Sequence, residues 1–350
     1  MAPCCVTGPA ATTDVIALGS IDDRDRYRLP AEWERQSALL LAWPRPDGDW
    51  AGVLESIERD YAAFVSAVLD HQPVVLLVPP GSRRDTECIG EPPGLHRIEM
   101  RYDDTWCRDY GPITLVHAGR RRALDFHFDG WGGKFEAGLD NRVNGQLARH
   151  RLFSDLAFRQ SQLEIEGGAI EANGEGLLLI NRHCMRTRIP FLDDAELDHE
   201  LAEWLNLEGV LAIDVEPLPG DDTDGHIDTP ARFIGPRRIA FQTMPDASAT
   251  RDLLGQLEAL RTPDGRAFEL HALPHPDDID PELPASYANF VLINDAVLVP
   301  QYASRHDAEA MARLGALFPD RTAVGVPGRT LVTQGGGPHC ACMQIPAALA

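Results

Sequence analysis

The chain has 350 residues, and its 54 acidic and 32 basic side chains give a formal net charge of −22. Hydrophobic residues make up 44% and charged residues 25%, which is typical of a globular protein and excludes a disordered or fibrous chain. The negative charge argues against nucleic acid or an anionic membrane as a partner and favours a small cationic ligand. Lys134 is the single lysine and no Ser or Thr follows it, so Walker-type NTPase chemistry is excluded.

The cysteines and the N-terminal sequence predict a cytoplasmic protein. Seven cysteines are few for this length and odd in number, so they do not indicate a disulfide framework. No signal-peptide pattern follows Met1, and no apolar run approaches the ~18 residues that a membrane helix needs. Residues 1–27 are small, polar and aperiodic. We expect them to form a loose leader, followed by a single domain over residues 28–350.

Predicted helices and strands alternate along the chain. Apolar side chains at helical spacing predict a helix over residues 52–70, and the apolar run at 74–78 predicts a buried strand. Two aspartates mark the start of a helix over residues 193–206. The other predicted helices cover residues 249–261 and 306–317. The other predicted strands cover residues 113–116, 123–128, 163–171, 177–181, 209–215, 232–243, 268–273, 290–299 and 322–326.

Turn residues separate several of these strands. The sequences at 172–176 and 294–295 are typical of hairpin turns. Several strands for each helix predict a mixed α/β fold with repeated ββαβ-like units, which a Rossmann sheet describes poorly.

The segment with the most unusual composition is residues 335–340, GGGPHC. Three consecutive glycines suit a backbone that a ligand approaches closely, and amides of such a loop can stabilise a thiolate. Cys340 is therefore a candidate nucleophile, with a buried structural cysteine as the alternative. His339, Cys340 and Cys342 are also soft metal ligands, although their spacing is not that of a zinc ribbon.

A second polar segment, residues 220–228 (GDDTDGHID), combines a histidine with several carboxylates. If it is extended, His226 and Asp228 emerge on the same face, where the histidine can act as a general acid/base and the carboxylate can bind a cation. A polar turn in which Asp221 and Asp222 bind local amides is the structural alternative. A metal site is another alternative, but the EF-hand spacing fails because no glutamate stands at the twelfth position.

Two further clusters place carboxylates at strand ends. Residues 103–112 (DDTWCRDYGP) precede the predicted strand at 113, and Glu166 ends a predicted strand beside two glycines. Buried carboxylates are unfavourable unless they meet a cation, so four such clusters favour a common cationic ligand. A guanidinium fits, because it is planar and its forked N–H donors match paired carboxylates.

Taken in order, these segments resemble the agmatine deiminase and bacterial-type peptidylarginine deiminase family of the guanidine-modifying enzyme superfamily. The resemblance covers nearly all of the chain after the expected leader. It is carried by PAEWE at 30–34, LAWPRPD at 41–47, DTWCRDYGP at 104–112, FDGWGGK at 128–134, EGG at 166–168, DTDGHID at 222–228, SYANF at 286–290 and GGGPHC at 335–340.

The resemblance implies a five-bladed α/β-propeller of pseudo-repeated ββαβ modules, with a central active site and with no cofactor or metal. It implies that Cys340 is the nucleophile, that His226 is the general acid/base and that Glu166 supports the histidine. Asp109 and Asp228 match the carboxylates that bind the guanidinium group. The expected substrate-binding set is completed by Trp106, Asn289 and, on the acidic turn, Asp222.

The activity implied is hydrolysis of agmatine to N-carbamoylputrescine and ammonia, a step of putrescine and polyamine synthesis, through a covalent thiouronium on the cysteine. Two departures from the family pattern bear on the substrate: Pro338 removes an amide donor beside Cys340, and residues 181–188 are shorter than the usual asparagine-rich loop. If the chain assembles, we expect a homodimer.

Three alternatives stay open from the sequence. The first keeps the chemistry but acts on arginine, peptidyl-arginine or another guanidine; a substrate carboxylate would then need a facing arginine. The candidates for that contact are Arg108, Arg182, Arg186 and Arg188. The second is a metal-dependent hydrolase that uses His226 and the nearby aspartates. The third is a binding protein without catalysis.

Overall fold

The computed structural model describes residues 27–348, where sixteen strands form five small sheets and eight α-helices connect or cover them. Except for Tyr27, the expected leader lies outside the described residues. The strands are β1 (Gln36–Ala42), β2 (Val74–Val78), β3 (Leu95–Glu99), β4 (Ile113–His117), β5 (Arg120–His127), β6 (Leu156–Glu164), β7 (Ile170–Ala172), β8 (Leu177–Asn181), β9 (Gly209–Ile213), β10 (Ala231–Gly235), β11 (Arg238–Gln242), β12 (Glu269–Leu273), β13 (Val291–Ile293), β14 (Ala296–Gln301), β15 (Thr322–Pro327) and β16 (Cys342–Pro346). The α-helices are α1 (Leu54–Leu69), α2 (Arg84–Ile89), α3 (Cys107–Tyr110), α4 (Val143–Leu147), α5 (Arg182–Arg188), α6 (Asp194–Leu205), α7 (Ala247–Ala259) and α8 (Asp307–Leu317).

Four of the sheets repeat one topology. In β4-β5-β6, β7-β8-β9, β10-β11-β12 and β13-β14-β15, the first two strands are antiparallel and the third is parallel to the second. A parallel neighbour requires a crossover, and in each sheet at least one helix lies between the second and third strands. The predicted mixed α/β fold is confirmed.

The fifth sheet joins the two ends of the described chain. Its order is β16-β1-β2-β3, with β16 antiparallel to β1 and the other pairs parallel. Leu40 of β1 lies opposite Met343 of β16. The glycine-rich segment that precedes β16 is therefore held against the N-terminal strand.

Most predicted elements are confirmed, with small shifts at their ends. Strands β2 and β8 have the predicted bounds, and α1, α6, α7 and α8 lie within two residues of theirs. Asp193 caps α6 by accepting hydrogen bonds from the amides of Ala195 and Glu196, both at 2.9 Å. The predicted runs at 232–243 and 290–299 are hairpins, the latter turning at the predicted 294–295.

One strand prediction is wrong near the candidate residues, and the extended conformation considered for residues 226–228 is not found. The run at 163–171 is broken, because β6 ends at Glu164 and β7 starts at Ile170 in another sheet. Between them, a Cβ on Gly167 would lie 2.1 Å from the carbonyl oxygen of Arg108, so the chain turns where another backbone approaches it. His226 and Asp228 do not lie on a strand but in a turn, in which the amide of Thr229 donates to the carbonyl of His226. The sequence also missed β1, β3, β16 and the short helices α2 to α5.

A buried ion pair network ties separate sheets together. Arg232 on β10 is fully buried; its Nε donates to Glu171 on β7 at 2.8 Å, and its Nη2 donates to Glu32 before β1. Its Nη1 also donates to the carbonyl oxygen of Phe290 at 2.9 Å.

Between residues 27 and 348, no helix combines the length and apolar character needed to cross a bilayer.

We predict that Arg232→Met lowers the free energy of unfolding by about 3–5 kcal/mol, because two buried carboxylates lose their shared cation. Urea denaturation measures the loss. Arg251→Met, at an exposed position of α7, is the matched control and should change stability little. Equal stability of the two variants would contradict the structural role of Arg232.

Candidate active site

The candidate residues lie where the chain enters the first strand of each sheet. Asp109 precedes β4, Glu166 precedes β7, Asp228 precedes β10, Asn289 precedes β13 and Cys340 precedes β16. Contacts among these residues and His226 link the five entrances, and a cavity of about 250 Å³ is lined by two of them, Asp109 and Cys340. Of the eight candidates, Trp106, Asp109, Asp222 and Cys340 line the cavity, and His226, Glu166, Asp228 and Asn289 are buried residues that contact this group.

Cys340 is held by polar groups on two sides. The Nδ2 of Asn289 lies 3.2 Å from its Sγ, and Oδ2 of Asp228 lies 3.7 Å from its Sγ. A Cβ on Gly337 would lie 2.4 Å from Oδ1 of Asn289, so this loop position has room only for glycine. Burial, together with the negative charges of Asp228 and Asp109, raises the pKa of the Cys340 thiol well above its usual value. The sulfur is therefore a thiol until a cation comes close.

A buried chain of charges holds His226. Its Nε2 lies 2.5 Å from Oε2 of Glu166, and Oε1 of Glu166 accepts from Nε of Arg188 at 2.6 Å. Burial alone would lower the pKa of His226, but the carboxylates of Asp109 and Glu166 outweigh it and raise the pKa to about 9. Burial opposes ionisation of Glu166 too, yet His226 and Arg188 keep its pKa below the usual value. His226 is thus an imidazolium at neutral pH.

Two further carboxylates lie beside the reactive groups: Asp109 is 3.6 Å from His226, and Asp228 is 3.7 Å from the sulfur of Cys340. Asp109 accepts from the amide of Gly168 at 2.9 Å and from Nε1 of Trp131 at 3.0 Å, and burial raises its pKa to about 6. Asp228 is fully buried, but His339 counteracts the burial and holds the pKa of Asp228 at about 2. The two carboxylates therefore differ: one is readily protonated and the other is firmly ionised.

Glycine at position 168 allows Asp109 and His226 to approach each other closely. A Cβ at this position would lie 2.5 Å from Nδ1 of His226 and 2.9 Å from Oδ1 of Asp109. Only glycine leaves room for both side chains, whose nearest atoms are 3.6 Å apart. This steric limit is the physical reason for glycine at position 168.

Aromatic rings and carboxylates make up much of the cavity lining. The rings belong to Trp50, Trp106, Trp131 and Phe135, and the carboxylates to Asp49, Asp104 and Asp222. No Arg or Lys is among the lining residues in the described part of the chain. Such a lining suits a ligand with a positive charge at its outer end.

The turn before His226 separates two aspartates that the sequence could not distinguish. The side chain of Asp221 stabilises the turn, because its Oδ1 accepts a hydrogen bond from the amide of Thr223 at 2.8 Å. Asp222 is exposed and lines the cavity. The turn-forming role therefore belongs to Asp221, and Asp222 presents its carboxylate at the cavity mouth.

The four arginines considered for a substrate carboxylate are engaged elsewhere. Arg108 donates to the carbonyl of His339 at 3.2 Å and to Gln344 at 2.6 Å. Arg182 pairs with Asp198, Arg186 with Asp194 and Asp214, and Arg188 with Glu166 and Asp224. None of the four lines the cavity.

Three partners of the site were missed from the sequence. Arg188 contacts Glu166, Trp131 contacts Asp109, and His339 contacts Asp228. Trp131 lay in a recognised block, and His339 was considered only as a metal ligand. Arg188 was considered only as a partner for a substrate carboxylate, because nothing in its local sequence indicates a buried contact with Glu166.

Among the described residues, Glu166, Cys184 and His226 place ligand atoms within 4.8 Å of one another. These donors are already satisfied. The two oxygens of Glu166 bind Arg188 and His226, and the thiol of Cys184 donates to the carbonyl of Thr223 at 3.4 Å. A metal ion would have to take the place of the Arg188 guanidinium, so this group fits a metal poorly.

Comparison with known proteins finds chains that are similar to this one over most of its length. Agmatine deiminase from Pseudomonas aeruginosa (strain LESB58) is 30% identical over 356 residues, which cover 92% of this chain and 96% of the relative. The solved structure of a cysteine-to-serine variant of the C. jejuni agmatine deiminase with substrate bound has a TM-score of 0.85 and 34% identity, covering 93% of this chain and 97% of that one. A proposed arginine deiminase from Porphyromonas gingivalis has a TM-score of 0.83 and 39% identity, covering 92% and 98%.

The sequence model of the Porphyromonas-type peptidyl-arginine deiminase family matches residues 28–346, nearly all of the described chain. The resemblance found in the sequence blocks is thereby confirmed. This protein belongs to that family and is a hydrolase of carbon–nitrogen bonds.

Proposed function

We propose that this protein hydrolyses the guanidinium group of agmatine, giving N-carbamoylputrescine and ammonia. The observation that carries the proposal is the placement of the Cys340 thiol beside Asp109, Asp228 and an imidazolium, in a cavity whose lining has carboxylates but no Arg or Lys. The relatives named agmatine deiminases support the same substrate.

Substrate binding also activates the nucleophile in this scheme. A guanidinium held between Asp109 and Asp228 offsets the two negative charges that disfavour the Cys340 thiolate. The pKa of the thiol falls as the cation arrives. The thiolate therefore forms only when its electrophile is in place.

The proposed reaction has two steps on one sulfur. The Cys340 thiolate adds to the guanidinium carbon, His226 gives its proton to one nitrogen, and ammonia leaves a thiouronium on the sulfur. His226 then takes a proton from water, and the resulting hydroxide adds to the same carbon. The C–S bond breaks as the hydroxyl proton passes to the sulfur, which releases the ureido product and restores the Cys340 thiol, whose own proton had left to solvent when the thiolate formed. Glu166 keeps the imidazole oriented throughout.

The outer cavity favours an amine tail over an amino-acid tail. Agmatine carries a second positive charge there, whereas arginine adds a carboxylate next to Asp222 and the other acidic lining residues. The four candidate arginines are bound to other groups, and that carboxylate would find no Arg or Lys among the described residues that line the cavity. The relative proposed to be an arginine deiminase makes arginine the principal competing substrate.

We also propose that the five sheets are the blades of a propeller and that residues 28–350 form one catalytic domain. The support is the ββαβ order of four sheets and the contacts that link the residues preceding β4, β7, β10, β13 and β16. Chain closure through β16 and β1 is consistent with this arrangement.

A panel of guanidines assayed for ammonia and ureido product tests the reaction. We expect agmatine to give equal amounts of both, with the same rate after treatment with a chelator. Loss of activity with the chelator, restored by added metal, would favour the metal-dependent hydrolase. No turnover of any guanidine would favour a binding protein.

Cys340→Ser should lower kcat by at least about a thousandfold with the fold intact, because a serine hydroxyl is far less acidic than a thiol. Cys342→Ser, the matched control two residues away, should keep most of the activity. Ammonia release and thermal melting measure the two effects. Equal loss in both variants would contradict a unique nucleophile at Cys340.

The pH profile of kcat/KM should be bell-shaped. Below about 6, Asp109 gains a proton and loses its attraction for the guanidinium. Above about 9, His226 loses the proton that the departing ammonia needs. Glu166→Gln removes a carboxylate that raises the pKa of His226, so the basic limb should move to lower pH. An unmoved basic limb in this variant would show that another group sets it.

Asp222→Asn should raise KM for agmatine about two- to fivefold, as expected for an exposed charge pair, and leave KM for butylguanidine unchanged. Asp320→Asn, exposed and outside the cavity lining, is the control. The preference for agmatine over arginine should also shrink as salt is added. If arginine were turned over as well as agmatine, the substrate assignment would be wrong although the chemistry would stand.

A further inference from the structure

His339, which directly precedes the proposed nucleophile, bridges two carboxylates and has no role in the scheme above. It is 1% exposed. Its Nδ1 lies 2.6 Å from Oδ2 of Asp228, and its Nε2 lies 2.9 Å from Oε2 of Glu32. A neutral imidazole has only one N–H donor, whereas an imidazolium has two.

Each ring nitrogen of His339 lies within hydrogen-bond distance of a carboxylate oxygen, so a ring that donates to both must be doubly protonated. Burial opposes ionisation of Glu32, but Arg232 and His339 outweigh it and lower its pKa well below the usual value. Burial likewise opposes ionisation of Asp228, and the bond from His339 outweighs it. Two ionised acceptors at hydrogen-bond distance are satisfied together only by a doubly protonated ring.

The far end of the bridge is fixed to the scaffold. Oε1 of Glu32 accepts from the amide of Leu292 on β13 at 2.6 Å, and its Oε2 accepts from Arg232. Arg232 is in turn bound to Glu171. His339 therefore connects Asp228 to a rigid anchor made from three sheets.

The near end of the bridge is the reactive part of the cavity. Oδ2 of Asp228, the oxygen that His339 binds, is also 3.7 Å from the sulfur of Cys340. The backbone amide of His339 donates to Oδ1 of Asn289 at 2.9 Å, and Asn289 contacts the same sulfur through Nδ2 at 3.2 Å. His339 thus fixes both the Asp228 carboxylate and the backbone next to the Cys340 thiol.

We propose that His339 is a positioning residue whose imidazolium bridge to Glu32 holds Asp228 ionised and in place for the guanidinium. The inference rests on the proposed function of the site. His339 does not touch the substrate in this scheme; it acts through Asp228.

The surroundings of Asp228 make this support necessary. Its direct contacts besides His339 are Asn289, Thr229 and the Cys340 thiol. More distant cations are His226 and Arg232, and Asp109 is a nearby carboxylate. Without the bond from His339, burial and the neighbouring carboxylate would raise the pKa of Asp228 and favour its neutral form.

Two substitutions at His339 separate the two ends of the bridge. The amide nitrogen of Asn takes roughly the place of Nδ1, and that of Gln takes roughly the place of Nε2. His339→Gln should lower kcat/KM about 10- to 100-fold, the loss expected for a hydrogen bond to a charged group, and move the acid limb of the pH profile upward. His339→Asn keeps a donor for Asp228 and should lose less, with a smaller shift of the acid limb.

Controls distinguish positioning from general stability. His96→Gln, at an exposed position on β3, should change neither kcat/KM nor the pH profile. Thermal melting of each variant measures the folded fraction at the assay temperature. Equal losses in the two His339 variants, with an acid limb that does not move in either, would reduce His339 to a structural residue and overturn the proposal.

A measurement without substrate tests the bridge independently of the reaction. In wild-type protein, ¹⁵N NMR of the His339 ring should show both nitrogens protonated at neutral pH. A single protonated nitrogen would overturn the imidazolium bridge. If the wild-type protein released no ammonia from agmatine, the proposed function would fail, and the NMR result would still decide the protonation of His339.

Discussion

Keeping carboxylates ionised inside the protein is the constraint on which the rest of this structure depends. Moving a carboxylate from water to the interior is unfavourable by several kcal/mol unless a cation and hydrogen bonds compensate. The chain meets this requirement with buried cations placed between buried acids. Glu166 lies between Arg188 and His226, Asp228 lies beside His339, and Arg232 lies between Glu32 and Glu171.

Of the three acids that lie beside the proposed reactive groups, Asp109 has the incomplete compensation, whereas the pKa values of Glu166 and Asp228 are lowered. Trp131 and Gly168 give it hydrogen bonds, but its pKa is still raised to about 6. The thiol of Cys340 is disfavoured as an anion for the same reason. The cavity therefore lacks one positive charge, which the guanidinium of the proposed substrate would supply. Binding of the guanidinium and activation of the Cys340 thiol would then have the same electrostatic cause.

The sequence predicts best what is decided locally. Strands β2 and β8 have their predicted bounds because each is a continuous apolar run between turn residues. The break at Gly167 could not be predicted, since its cause is the backbone of Arg108, far away in the chain. The eight candidate residues could be named because each lies in a distinctive local segment. The contacts made by Arg188 and His339 could not be predicted, because they join residues that are far apart in the chain. A buried Arg188 and an exposed arginine look alike in sequence; only the fold supplies Glu166 as the partner.

The closure of the fifth sheet has a consequence for how the chain matures. Strand β1 is an apolar strand that pairs on one side with β2, its near neighbour in sequence, and on the other with β16, the last strand of the described chain. During synthesis, the second edge of β1 has no partner from this sheet until almost the whole chain has emerged. Unpaired apolar edges are templates for association between chains. Arrival of β16 covers that edge and brings Cys340 towards the cavity, so the nascent chain keeps an open apolar edge for as long as it lacks the proposed nucleophile.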